Sequence, residues 1–226
     1  ARLADDVTVG PWSIIGPDVE VGPGTIIEPH VVIRGPTTIG AGNHIYQFAS
    51  VGDATPDLKY RNEPTRLTIG DRNTIGNDNL IMAYVHIGHD SVIGNHTILV
   101  NNVALAGHVH VGDWAILSGY TLVHQFCRIG PHSFSGMQTA IGKDVPAYVT
   151  VSGSPAEAKT INTEGLRRRG FSDPAISQLR RAFKILYRQS LTLDIAVQRL
   201  ETMLSDTPEV KVLIDSIRAS ERGIVR

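Results

Sequence analysis

An aliphatic residue recurs every six positions along most of this chain, and no other feature restricts its fold as much. Stepping by six from Val9 gives Ile15, Val21, Ile27, Ile33, Ile39, Ile45 and Val51. The same phase returns at Ile69 and runs through Ile75, Ile81, Ile87, Ile93, Leu99, Leu105, Val111, Leu117, Val123 and Ile129 to Ile141. Of the 23 stepped positions only Asp57, Glu63 and Ser135 are not aliphatic, and 12 of the 20 aliphatic residues precede a glycine. Neither the 3.6-residue helix nor the two-residue alternation of a strand has this period. Short strands joined by tight corners do. Each hexapeptide then supplies one strand with its aliphatic residue inward, and the following glycine is expected to accept the corner geometry. Three strands make an 18-residue triangular coil, and coils stack at about 4.8 Å in a parallel β-helix. Residues 18 apart become vertical neighbours. Residues 53–68 break the pattern without losing its phase, as a loop thrown out from a corner would, and function collects in such loops.

From about Pro155 the repeat gives way to helical periodicity, dividing the chain into a β-helix over 1–154 and a helical domain over 155–226. Ser172 has the character of an N-cap, with Pro174 in the first turn and Ile176, Leu179, Phe183 and Leu186 on one face. Two more helices are expected after Thr192 and Pro208. The segment 156–226 carries 13 Lys and Arg against 9 Asp and Glu, while the rest carries 8 against 13. The basic charge thus belongs to the helices. Arg167-Arg168-Arg169 concentrates it where phosphates or an acidic partner could dock.

With a formal net charge of -1 and no stretch near the roughly 20 apolar residues of a membrane span, the chain is expected to be cytoplasmic. It is expected to have no integral membrane segment and no nucleic-acid partner. The single cysteine, Cys127, cannot form an internal disulfide and reads as buried filler. Because the chain opens at Ala1 in the middle of a repeat, about one further coil is expected before it.

Nine histidines are many for this length. Four of them, His86, His89, His108 and His124, fall in neighbouring coils. Adding 18 to His89 reaches Gly107 and then Gln125, which places all three on one corner, and the same arithmetic stands His108 above Asp90. Such a cluster offers a general base, a backbone N–H for a developing oxyanion and groups to orient a substrate. A glycine at 107 would let a carbonyl approach its amide closely. Gathered imidazoles could instead hold a zinc ion, which would make the chain a lyase or hydratase.

The chain closely resembles the bacterial UDP-N-acetylglucosamine O-acyltransferases that begin lipid A synthesis. The resemblance rests on Ile45-Tyr46-Gln47-Phe48-Ala49-Ser50, Asp57-Leu58-Lys59-Tyr60, Glu63-Pro64-Thr65-Arg66 and Tyr84-Val85-His86-Ile87-Gly88-His89-Asp90. It continues through Leu105-Ala106-Gly107-His108-Val109, Val123-His124-Gln125-Phe126-Cys127 and Glu164-Gly165-Leu166-Arg167-Arg168-Arg169-Gly170-Phe171. It implies a left-handed winding and homotrimers with active sites between neighbours. It further implies transfer of a (3R)-3-hydroxyacyl chain from acyl carrier protein to the sugar 3-hydroxyl, with no metal or other cofactor. On this resemblance His89 is the general base, Asp90 its orienting acid and Gly107 the oxyanion donor. Asp57, Lys59, His86, His108, His124 and Gln125 line the sugar cleft, while Asn162, Glu164, Arg168 and Arg169 grip the nucleotide.

Two further points follow from the resemblance. Met137 stands where relatives that accept longer chains have glycine, which implies a shorter acyl chain of about ten carbons; as a residue type it could equally fill a packing gap. Between Thr74 and Ile75 the relatives place about one further coil with a short loop, yet the join preserves the six-residue phase.

Overall fold

The computed structural model describes residues 1–52, 66–82, 84–205 and 207–226. Strands of two to four residues stack in parallel on three faces, eight on the first, seven on the second and eight of the nine on the third. The register advances by 18 residues per coil, as in His86↔Ala104 and Ala104↔Leu122 on the first face and Ile98↔Ile116 on the third. The repeating aliphatic column fills the prism. Ile33, Ile45, Ile75, Ile81, Ile87, Leu99 and Leu105 are wholly excluded from solvent. Each such side chain contributes roughly 1.5–3 kcal/mol relative to exposure.

Most glycines of the repeat, though not the left-handed Gly52, serve a purpose other than the expected one. In most of the described hexapeptides the left-handed residue is the third after the aliphatic position: Arg72, Asp78, Asp90, His96, Asn102, His108, Trp114 and Phe126 all have φ between 54° and 64°. Gly70, Gly88 and Gly94 are not left-handed. They are glycines because the next coil lies too close: a Cβ on Gly88 would sit 2.6 Å from the backbone of Ala106 and Gly107. Small polar side chains satisfy the corner amides from inside. Asn43 N–H donates to Thr25 Oγ1, Asn73 N–H to Asn43 Oδ1, Ser91 N–H to Asn73 Oδ1 and Val109 N–H to Ser91 Oγ. This ladder answers the demand of buried backbone donors for partners.

The join at Thr74–Ile75 leaves no gap. That strand pairs with His44–Ile45 on one side and Val92–Ile93 on the other, both in register. The coil also resumes earlier than the sequence pattern indicates, because Leu67–Ile69 is a strand paired with Thr37–Ile39.

Strand pairing likewise outlasts the repeat. Glu157–Ile161 runs antiparallel to Val149–Ser152 and extends the third face beyond Pro155. Four helices follow: α1 (Thr163–Arg168), α2 (Asp173–Arg188), α3 (Leu193–Glu201) and α4 (Val210–Arg218). Ser172 and Thr192 accept hydrogen bonds from Ala175 and Ile195 at the starts of α2 and α3, and α2 buries Ile176, Leu179, Phe183 and Leu186. The short α1 has no periodic signature in the sequence. Its first turn is closed by Asn162, whose Oδ1 accepts from Gly165 N–H. The chain end returns to the last coil, where Asp144 bonds Ser220 Oγ and the backbone of Gly223 and Val225. Cys127 lies in the core, where burial pushes its thiol up to about 11 and leaves it unreactive.

Candidate active site

The corner between the first and second faces brings together the residues that the 18-residue spacing selects. Asp71-Arg72, His89-Asp90, Gly107-His108 and Gln125-Phe126 occupy successive coils: Asp90 N–H donates to Asp71 O, His108 N–H to His89 O and Phe126 N–H to Gly107 O. Successive left-handed residues hold the side chains on the outside of this corner, so a cluster forms from positions far apart in the chain.

His89 Nδ1 lies 2.7 Å from Asp90 Oδ2. An ionised carboxylate only accepts, so in the neutral ring Nδ1 carries the proton and Nε2 the lone pair. The hydrogen bond to His89 holds the Asp90 carboxyl below its ordinary range; Arg72 lowers it further, while desolvation opposes both. The His89 ring lies directly over Gly107: a Cβ there would be 2.8 Å from Nε2. Position 107 is therefore a glycine first because the base occupies that space. The same contact puts Nε2 against the Cα of Gly107.

That amide has no acceptor among the described residues. At some equivalent corner positions a side chain in the next coil takes the proton, as Asp71 Oδ1 does from Ala41 N–H and Asn95 Oδ1 from Asn77 N–H. The residue one coil on from Gly107 is Gln125, which does not. His108 stacks on Phe126 at 4.6 Å and meets the His89 ring edge-on at 5.0 Å. His124 is exposed one coil further on, its Nδ1 3.1 Å from Gln125 O.

An apolar groove of about 610 Å³ opens beside this corner on the first face. His86, Ala104, Leu122 and Ala140 form its floor as one outward column, and Ala106 and His124 flank it on the corner side. Met137 stands on the corner between the third and first faces, three coils above His86, and is 77% exposed. It fills no packing gap within the chain.

The remaining expected residues divide. Asp57 and Lys59 lie outside the described residues. Asn162, Glu164, Arg168 and Arg169 line a second groove of about 690 Å³ on the third face, with Trp114, Ile116 and Phe134. One chain therefore does not bring them to His89. Two of the four are also engaged internally. Besides capping α1, Asn162 donates from Nδ2 to His132 O. Arg169 places its guanidinium 5.2 Å over Trp114 and 3.2 Å from His132 Nδ1. Arg168 and Glu164 are exposed and paired with each other at 3.0 Å.

Arg72 has no conspicuous motif to single it out, although the arithmetic that stands His108 above Asp90 also places Arg72 beneath it. Its Nε is 2.9 Å from Asp90 Oδ1 and its Nη2 3.0 Å from Oδ2. This bears on the zinc reading. His89, Asp90 and His108 present three donor atoms within 4.8 Å of one another. A cation there would share the Asp90 carboxylate with a guanidinium at contact distance, and like-charge repulsion opposes that arrangement.

Comparison with known proteins decides the family. A model described as UDP N-acetylglucosamine O-acyltransferase, domain 2, matches residues 144–225, and the bacterial transferase hexapeptide model matches 1–35 and 74–107. The acyl-[acyl-carrier-protein]–UDP-N-acetylglucosamine O-acyltransferase of Stutzerimonas stutzeri is 66% identical, covering 100% of this chain and 95% of the relative. The chain belongs to the UDP-N-acetylglucosamine O-acyltransferase family.

Among its solved members, the Moraxella catarrhalis enzyme aligns at 41% identity and a TM-score of 0.66, covering 100% of this chain and 95% of that one. The Arabidopsis UDP-N-acetylglucosamine acyltransferase aligns at 31% identity and 0.67, covering 100% and 98%. The Stutzerimonas alignment spans 245 positions against 226 residues here, so at least 19 positions of that acyltransferase have no counterpart. That is about one coil. Among the described residues no helix is long and apolar enough to cross a membrane.

Proposed function

We propose that this acyltransferase carries a (3R)-3-hydroxyacyl chain from the phosphopantetheine thioester of acyl carrier protein to the 3-hydroxyl of UDP-N-acetylglucosamine, the opening step of lipid A synthesis. The observation that carries the chemistry is His89 Nε2 lying against Gly107, whose N–H has no acceptor among the described residues. His89 takes the proton of the sugar hydroxyl as its oxygen attacks the thioester carbon. The Gly107 N–H meets the resulting oxyanion, and collapse expels the thiolate, which receives the proton from His89. Asp90 stabilises the imidazolium between these transfers. The thioester brings its own activation, so the step requires neither metal nor covalent enzyme intermediate.

A cyclic homotrimer fits this reading. His89 and the apolar groove belong to the first corner and first face, whereas Arg168 and Glu164 belong to the third face. Contact between two unlike faces of identical copies closes into a ring when the rotation between copies divides a full turn, as a third of a turn does for a trimer, and a second copy would bring the nucleotide-gripping residues to the base. The basic helices suit an acidic carrier protein. The groove of Ala104, Leu122 and Ala140 suits the acyl chain. Met137 would close its far end, three coils or roughly 14 Å from His86 at the inter-strand spacing, which suits the chain of about ten carbons that the family resemblance implies.

The test is incubation with UDP-N-acetylglucosamine and 3-hydroxyacyl carrier proteins of graded length. His89→Ala should lower kcat/KM by about 10³-fold, within the range for loss of a general base, with the oligomer intact. Transfer that survives this substitution would remove His89 from the role.

A further inference from the structure

We propose that Arg72 is a positioning residue for the transfer: it holds Asp90 with both of its oxygens committed, and so sets how strongly Asp90 favours a proton on His89. The proposal rests on the reading of His89 as the base. Three observations support it. Arg72 engages Asp90 through two nitrogens, at 2.9 and 3.0 Å, in the fork geometry that fixes the plane of a carboxylate. The same Oδ2 that accepts from Arg72 also accepts from His89 Nδ1 at 2.7 Å. The Arg72 backbone is fixed by the stack, because its N–H donates to Ala41 O and Thr74–Ile75 pairs directly with Val92–Ile93.

The adjacency is a property of this chain's coil count. With one more coil between these two corners, the layers would be roughly 9.6 Å apart at the inter-strand spacing, too far for a guanidinium contact. Among the described residues the charged and titratable groups around Asp90 are few. Arg72 lies in the coil below, His89 on its own corner and His108 in the coil above, with Nε2 at 4.0 Å. Asp71 turns away to accept from Ala41 N–H. Arg72 is thus the permanent cation beside Asp90 among the described residues. By offsetting the Asp90 charge it keeps that carboxylate from locking a proton onto His89, so the ring stays available as a base at lower pH.

The experiment compares Arg72→Gln and Arg72→Lys with the wild type in the full chain. Two readouts are taken: the pH dependence of kcat/KM for acyl transfer, and the ¹⁵N titration of the His89 ring without substrate. With Arg72→Gln both the acid limb of the rate profile and the ring titration should move up by about one pH unit, the scale of one nearby charge. Arg72→Lys should recover most of that shift, which lost packing alone would not produce. A ring titration unchanged in Arg72→Gln, or moved equally in Arg72→Lys, overturns the proposal. The titration is independent of turnover. If His89→Ala proves harmless while the ring midpoint still moves with Arg72, the base assignment fails and the Arg72 coupling stands.

Discussion

Two corners of the same prism have the same backbone and opposite fates. At the first corner Arg72, Asp90, His108 and Phe126 are left-handed; at the second, between the second and third faces, Asp78, His96, Trp114 and His132 are left-handed in the same way. The second corner becomes a stack. His96 lies on Trp114 at 4.1 Å, Trp114 on His132 at 6.3 Å and His132 on Tyr148 at 5.5 Å, with Phe171 edge-on and Arg169 over Trp114. Trp114, His132 and Tyr148 there meet Arg169 and Phe171, which hold the helical segment to the coils. At the first corner a carboxylate, an imidazole and a bare glycine remain open to solvent. The corner backbone is therefore a neutral frame, and covering it decides between adhesion and chemistry.

The contrast can be broken most directly at Gly107. Gly107→Ala would press a methyl against the His89 ring at 2.8 Å, and the ring, being exposed, should swing off Asp90 while the coil stays intact. Acyl transfer should fall by about 10²–10³-fold, the scale of a lost oxyanion-hole donor and its partner, with an unchanged melting temperature. Gly88→Ala, whose Cβ meets backbone at 2.6 Å, should instead lower the melting temperature. If both variants behave alike, the first corner is structural after all.

The covered corner makes a prediction of its own in pH. Burial, and then the charge of Arg169, lower His132 to about 4, against about 6.5 in the unfolded chain. Between those values the unfolded state binds a proton that the folded state refuses, so stability falls as pH drops through this window. The loss should be on the order of 2–3 kcal/mol by pH 4. Urea midpoints at pH 7.5 and 4.5 would measure it. His132→Phe keeps a ring in the stack and should flatten the dependence, with the remaining slope attributable partly to His110, which burial also lowers.

The smallest expected effect is one of preference. Met137→Gly should shift the favoured donor toward longer acyl chains, each mismatched methylene being worth about 1–3 kcal/mol in an apolar pocket. Competition between donors of graded length would show it. An unmoved optimum would leave Met137 without a role in the groove.

Much of this was legible in the amino-acid order. Coil stacking is set by an 18-residue register, so the alignment of His89 with Gly107 and of Asp90 with His108 follows by counting. The caps at Ser172 and Thr192 are equally local. The reason for the repeat glycines was not legible, because crowding by the next coil is invisible one hexapeptide at a time. The strand Glu157–Ile161 and the short α1 carry too few residues to display a period.

The sequence by itself determined the coil, its three faces and which residues share a corner, because a fixed period in one dimension becomes a fixed stack in three. Only the tertiary structure decided that the two grooves lie on different faces and that Arg169 and Asn162 are engaged against the His132 corner. It also decided that Arg72 grips Asp90. Those outcomes depend on how side chains and the helical segment fold over the prism, and a repeat along the chain says nothing of what will come to rest against its outside.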